Sequence, residues 1–339
     1  MITEVVPNIF RFEILMPGPL KSVNCYLMRG SDGWSLIDSG PKMPGMKQRW
    51  EAAFAECGAA FSDLASIVIT HAHVDHLGMA GWLQQQSGAR VYMSAPEYNS
   101  LQEHYNKDFD TSRLTTALTE LGLEKSESDR ISTIFGSAEP MIAPRPEVTV
   151  LNDPTISLSG IEWEILLTTG HTDGHICLYS REQHLLLSGD QVLPSITSVI
   201  KFPNSADDNP LGDYLDSLRQ LSKLDSGMVL PAHGGVIQNL SVRIRELFAH
   251  HDERLGFILD RLRQNGEQTV KQLVDALWGK TLNTVDLFLA TGEITSHLIY
   301  LRNQNRICTR QSGAEKDLIF FSIPLSSTER PSPAHGQPR

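Results

Sequence analysis

The chain has 339 residues, 40% of them hydrophobic and 20% charged, with a formal net charge of -11 at pH 7. That length permits one large domain with a smaller companion, and that apolar share is enough for a buried core without covalent staples. The acidic balance disfavours indiscriminate attraction to phosphate backbones and leaves nucleic acid unsupported, although a local basic patch would not show in the total. Cys25, Cys57, Cys177 and Cys308 form no CxxC pair, which argues against a zinc knuckle or a disulfide framework and for reduced thiols. The opening residues carry an early acid, Glu4, and neither a basic leader nor a long apolar run, so the expectation is a cytoplasmic protein without a membrane segment.

In chain order, residues 9–12, 23–28 and 33–38 read as short strands bounded by turn formers, which predicts a β-meander. Trp50, Ala53, Phe54 and Cys57 recur at helical spacing within 46–57, and the β-rich run 67–70 follows. A second helix is expected to begin near His76, and 88–93 resumes a strand, so helices should cover the outer face of a sheet. Residues 97–140 are charged and weakly patterned, with a helix-compatible piece at 114–121, and read as a helical insertion near the mouth of a site. Strand signals return at 148–151, 161–168, 176–180 and 184–188, so two β-rich halves suggest two packed sheets. From 242–262 the apolar spacing turns helical, Thr269 is a plausible cap for the next helix, and a third is expected over 285–301. Two short β-like pieces, 306–310 and 318–322, then complete the element order of a winged helix. The end is rich in Ser and Pro with almost no large apolar residue, and 324–339 is expected to be a disordered tail.

The chemistry concentrates in His71-Ala-His73-Val-Asp75-His76, which follows a predicted strand. Chain leaving a sheet in extended form puts alternate residues on one side, so three of these side chains can converge. Neutral imidazole and carboxylate suit zinc and similar divalent metals, and four candidates crowded into one loop, with more past other strands, point to two ions. His171, Asp190 and His233 each lie just past another predicted strand, where loops at one sheet edge present binding groups on a rigid scaffold.

The HxHxDH run, His171, Asp190, His233 and the early Leu36-Ile37-Asp38-Ser39-Gly40 together resemble the metallo-β-lactamase fold superfamily over residues 1–240. The resemblance implies an α/β fold of the αββα sandwich type. It assigns His71, His73 and His171 to one ion, Asp75, His76 and His233 to a second, and Asp190 to both. Asp75 and Asp190 are the candidate catalytic residues. The cofactors implied are two divalent metal ions, zinc first, with iron or manganese as alternatives. Residues 241–323 are similar to the winged-helix domain appended to one branch of the superfamily, which includes glyoxalase-like hydrolases and an RNA-cleaving enzyme. His73 stands where the related di-iron flavoproteins carry a glutamate, which favours hydrolysis over reduction of oxygen or nitric oxide.

Two residues are expected to support the ligands. Asp38 can accept the free ring N–H of a ligand histidine and fix its tautomer, and His175 lies in a glyoxalase-like string while every ligand place is already filled. His104, His184, His250, His251 and His297 lack such a setting and are assigned no chemistry. Ser195 has no Gly-x-Ser-x-Gly turn to make it a nucleophile and reads as a turn residue ahead of the alternative that it lines the substrate pocket, while Trp163 and Trp278 read as core.

The leading reading is a hydrolase that uses metal-activated water on a small-molecule ester, thioester or lactone. The C-terminus departs from the helical glutathione-binding domain of glyoxalase II, so glutathione thioesters are candidates only. A metal-dependent ribonuclease is the alternative, weakened by 11 Lys or Arg against 10 Asp or Glu between Gln238 and Ser322. The appended domain would then shape the active-site mouth or a homodimer contact. A regulator with a structural metal site ranks third.

Overall fold

The structure is a computed structural model and describes residues 2–17, 20–105, 110–136, 139–203, 205, 207–313 and 318–324. The tail expected at 324–339 lies outside the described residues apart from Pro324. Alternating apolar residues become strands wherever one face can be buried. The first half contains β1 (Ile2–Val6), β2 (Ile9–Leu15), β3 (Ser22–Gly30), β4 (Gly33–Ile37), α1 (Met46–Glu56), β5 (Leu64–Val68), α2 (Val74–Leu77), α3 (Ala80–Ser87) and β6 (Arg90–Met93). It continues through α4 (Ala95–His104), α5 (Ser112–Glu120), α6 (Lys125–Phe135) and β7 (Val148–Val150). The seven strands form one sheet in chain order, antiparallel from β1 to β4 and parallel from β4 to β7. Parallel neighbours need crossovers, which the helices supply.

The second sheet is built from β8 (Thr155–Leu158), β9 (Ile161–Thr168), β10 (His175–Ser180) and β11 (Leu185–Gly189), with β12 (Met228–Pro231) joining β11 in parallel after α7 (Pro210–Leu221). Then come α8 (Leu240–Asn265), α9 (Val270–Trp278), α10 (Thr284–Asn303) and the hairpin of β13 (Cys308–Gln311) and β14 (Ile319–Ser322). Thr269 caps α9, its hydroxyl accepting from Gln272 N.

Strand alternation sorts the side chains into layers. Tyr26, Met28 and Val68 of the first sheet meet Trp163, Leu178 and Leu187 of the second in an inner core. Leu27, Leu36 and Ile67 face outward onto Trp50, Phe54 and Leu83 of α1 and α3. Cys177, Leu186 and Val229 face outward onto the helical layer that holds Leu218, Ile258, Leu273 and Leu298. The result is the four-layer helix, sheet, sheet, helix order that the resemblance implies.

The insertion divides in two. Its first helix, α4, reaches the inner site, whereas α5 and α6 bury Leu118 and Ile131 in the outer helical layer, and the Phe135 ring of α6 lies tilted, 4.2 Å from that of Phe288 of α10. Within the insertion, α4 therefore backs the loops of the site through buried Glu97 and Tyr105, whereas the amphipathic faces of α5 and α6 find a larger apolar surface on the C-terminal helices. Among the described residues no helix is long and apolar enough to cross a membrane.

One glycine decides how closely this outer layer approaches the site. Gly170 has φ +101°, and a Cβ there would lie 2.4 Å from Tyr214 Cβ and 2.5 Å from its backbone N. Strain at positive φ and contact with immovable backbone add, so Gly170→Ala is expected to cost about 2–4 kcal/mol of unfolding free energy. A lowered urea midpoint with an unchanged m-value measures it.

Candidate metal centre

Strand ends deliver the polar residues to one edge of the sandwich. Asp38 follows β4, Thr70 and His71 follow β5, His171 follows β9, Asp190 follows β11 and His233 follows β12. Backbone bonds stitch the sheets together at this edge, with Ile176 N donating to Thr70 O at 2.8 Å and Asn24 N to Ala232 O at 2.6 Å. Seven side chains separated widely in sequence are thereby held on a shared frame.

They form two groups, each able to hold a metal ion: His71, His73, His171 and Asp190 in one, and Asp75, His76 and His233 in the other. In the first, His71 Nε2 lies 2.9 Å from His73 Nδ1 and 3.1 Å from His171 Nε2. In the second, Asp75 Oδ2 is 3.8 Å from His76 Nε2 and 3.6 Å from His233 Nε2. Asp190 divides its carboxylate between them. Its Oδ2 lies 3.5 Å from His171 Nε2, and its Oδ1 lies 3.5 Å from His76 Nε2 and 3.2 Å from His233 Nε2.

The extended conformation expected through Asp75 stops at His73, the N-cap of the one-turn helix α2. The turn sends His71 and His73 to one group and the adjacent Asp75 and His76 to the other, a split that extended chain could not make. His73 is the exposed member of the first group, so the centre opens to solvent on its side.

Ring tautomers decide which nitrogens are available. Nδ1 of His171 is 2.7 Å from Val199 O, and Nδ1 of His233 is 2.6 Å from Ser22 O. A carbonyl only accepts, so each Nδ1 carries the proton and the neutral ring presents a lone pair at Nε2. His76 Nδ1 donates to Asp38 Oδ2 at 2.8 Å. Thr70 Oγ1 gives its proton to the Asp38 carboxylate, at 3.0 and 2.9 Å from its two oxygens, and so receives the Nδ1 proton of His71 at 3.0 Å. Asp38 thus sets His76 directly and His71 through Thr70.

Lone pairs then face one another across about 3 Å, as the edges of a tetrahedral zinc site do when Zn–N is about 2.0–2.1 Å. His76 Nε2, His233 Nε2 and Asp190 Oδ1 are buried without a hydrogen-bond partner, a costly condition that a bound cation relieves. The donor set fits divalent metal. Its electrostatics agree: burial, reinforced by the neighbouring imidazoles, holds His71 well below the usual histidine range. Burial opposes charge on His76 as well, but Asp190, Asp38 and Asp75 outweigh it and raise its pKa.

His175 aims Asp190 and belongs to neither group. Its Nε2 accepts from Asp190 N at 3.0 Å, and its Nδ1 faces Thr168 Oγ1 at 3.2 Å, so both nitrogens are spent. Sequence reading misses further supports. Buried Glu97 accepts from Ala72 N at 2.7 Å and from Gly174 N at 3.0 Å, clamping the loops that carry His71 and His171. Its spacing from Ser94 reads as an ordinary capping box, which conceals this use. Asn24 Nδ2 donates to Pro231 O and Gly234 O, each at 2.9 Å, and braces the His233 loop from β3.

Other residues differ from expectation. Trp163 is core, but Trp278 is 36% exposed beside a cavity that Ser195 also lines, because α9 ends there. His251 and His297 are buried and bonded to each other, with Nδ1 of the first 3.1 Å from Nε2 of the second. His104 and His184 bond to nearby Ser100 and Asp225 away from the centre.

A family model described as the metallo-beta-lactamase superfamily matches residues 18–233. A probable metallo-hydrolase of Bacillus subtilis is 26% identical over 329 residues, covering 95% of this chain and 98% of its own. An atrochrysone carboxyl ACP thioesterase of Aspergillus fumigatus is 22% identical over 310 residues, covering 88% and 81%. The crystal structure of a metallo-beta-lactamase family protein from Thermus thermophilus superposes with a TM-score of 0.80 at 26% identity, covering 95% of this chain and 100% of that one.

Asparagine tolerates the left-handed backbone of Asp38, φ +59°, so Asp38→Asn isolates the charge and its acceptors. With the amide oxygen kept by Thr70, an NH2 faces His76 Nδ1 and drives the ring proton to Nε2. Divalent-cation affinity of the group containing His76 is expected to fall about 10- to 100-fold, as for lost partners of metal ligands. The group containing His71 should change little, and competition with a chromogenic chelator separates the two.

Proposed function

Because the chain belongs to the metallo-beta-lactamase superfamily, we propose that it is a hydrolase using two divalent metal ions on a small-molecule ester, thioester or lactone. The observation that carries this reading is the Asp190 carboxylate, with one oxygen toward each ligand group. His71, His73 and His171 would hold one ion, Asp75, His76 and His233 the other, and Asp190 both. Zinc suits the imidazole-rich donors best. Bound there, such ions lower the pKa of water from about 15.7 toward about 7 and polarise a carbonyl oxygen.

The protein's own groups supply orientation. Asp38, Val199 O and Ser22 O hold the imidazoles so that the ligating nitrogens stay unprotonated. Asp75 turns Oδ2 toward His76 and His233, leaving Oδ1 to take the proton lost by the attacking water and pass it to the leaving group as the bond breaks. Exposed His73 marks the side from which the substrate approaches.

Thioesters are favoured within this class, since a relative matching 88% of the chain is named as a thioesterase. The winged-helix-like segment 241–323 is read as a wall of the substrate mouth. A phosphate-tracking role has little support from its balanced charge, 11 Lys or Arg against 10 Asp or Glu between Gln238 and Ser322, and Arg263, Lys271 and Arg310 among those cations are paired with acids.

Zinc-loaded protein is expected to turn over at least one member of a panel of thioesters, esters and lactones. Asp190→Ala and His73→Ala should each lower kcat/KM at least about a hundredfold, with metal content measured alongside. Salt-sensitive RNA cleavage without acyl turnover would replace this reading with a ribonuclease, and ligand binding without turnover would replace it with a regulator.

A further inference from the structure

On the side of the loop after Asp190, that loop with α8, α9 and α10 lines an open cavity of about 330 Å³, within the size range of small-molecule sites. Its walls include Ile196, Thr197, His250, Arg254, Trp278 and Glu293. Arg254 is held in one orientation, its guanidinium 4.7 Å from the Trp278 ring centroid and its Nε donating to Glu293 Oε1 at 2.7 Å. Nη1 and Nη2 make no hydrogen bond to the described residues. His250 Nε2 likewise makes no hydrogen bond, lying 4.0 Å from Glu293 Oε1, and burial lowers the pKa of that ring. The other cation, Arg243, is spent on Leu193 O, Ile196 O and Glu246. Unused polar atoms thus collect beside a half-exposed indole and the exposed Ile196, which suits a flat ligand bearing an acceptor.

The cavity and the metal centre share a loop. Thr197 lines the cavity, and two residues later Val199 O orients His171, a separation of at most about 7 Å of chain. The buried histidine pair supports that loop from behind. His297 Nδ1 donates to Glu293 O at 2.7 Å, His251 Nδ1 donates to His297 Nε2, and His251 Nε2 accepts from Thr197 Oγ1 at 3.0 Å.

We propose that this cavity is a second substrate subsite, taking an aromatic group that bears a carboxylate while the bond to be cleaved reaches the metal centre. The fork of Arg254 Nη1 and Nη2 matches a carboxylate in two parallel bonds, and Trp278 offers its ring to the aromatic body. The proposal rests on the hydrolase reading and adds a substrate class to it.

The test uses full-length protein stripped of metal, so that a carboxylate cannot report the metal centre. The probe is 4-nitrobenzoate, whose nitro group quenches tryptophan on contact. Trp34, Trp50, Trp82 and Trp163 are at most 9% exposed, so saturable quenching reports Trp278. Quenching is expected in the unaltered protein and lost in Trp278→Phe. Binding should weaken about tenfold or more both in Arg254→Gln and when 4-nitrobenzyl alcohol replaces the acid. Equal binding of the acid and the neutral alcohol to unaltered protein overturns the subsite without relying on any variant. Binding seen only with metal present overturns it too. With an acyl substrate carrying an aromatic carboxylate, Arg254→Gln should raise KM and leave kcat nearly unchanged. If no acyl substrate is cleaved while the nitrobenzoate result holds, the hydrolase reading fails and the cavity remains a carboxylate site. Cleavage without carboxylate preference sinks the subsite alone.

Discussion

A buried carboxylate organises this molecule. Asp38 is 1% exposed at the end of a central strand, where an isolated negative charge would be costly. It is satisfied by Thr70 N, Thr70 Oγ1 and His76 Nδ1, donors that can meet only if β4, β5 and α2 are in place. Its backbone adopts φ +59°, a conformation usually disfavoured outside glycine, which turns the side chain into this cluster. The local strain is offset by three hydrogen bonds to charge. Their consequence reaches both ligand groups, because the same carboxylate sets the His76 proton and, through Thr70, that of His71.

The remaining ligands depend on the sandwich. His171, Asp190 and His233 arrive from the second sheet, and backbone bonds from Ile176 to Thr70 and from Asn24 to Ala232 fix that sheet against the first. Glu97 adds a bond to each side, to Ala72 and to Gly174. The site is consequently as rigid as the junction between the sheets, and loosening either sheet would spread the nitrogens apart. Such a junction keeps unpaired donors close together before any cation arrives, so little reorganisation is left for binding.

The helical layer outside the second sheet is coupled to the centre as well. Leaves of that layer come from α5 and α6, from α7 and from α8 to α10, all sharing one apolar core. Tyr214 of α7 packs against Gly170, next to His171, and His251 of α8 bonds to Thr197 in the loop that orients His171. The C-terminal helices therefore bear on the site through the loop 195–199 as well as by covering the sheet.

Much of this was legible in the residues themselves. Short β-rich runs bounded by turn formers marked β2, β3, β9 and β11, helical spacing marked α1, α8 and α10, and the capping hydroxyl of Thr269 marked the start of α9. Local rules suffice there because composition, spacing and bounding turn or cap residues are read within each element. The seven proposed ligands were also visible, since histidines and acids recur just past strands. Their division was available only through the resemblance, not from periodicity, and tertiary structure supplied its physical reason: α2 turns the chain after His73, and a helical turn four residues long leaves no periodic trace. Tertiary structure alone decided that Glu97 clamps two loops instead of closing its own capping box, that Trp278 borders a cavity, and that His251 and His297 pair inside a core. Each of these depends on partners tens of residues away, and a sequence lists residue types without their distances.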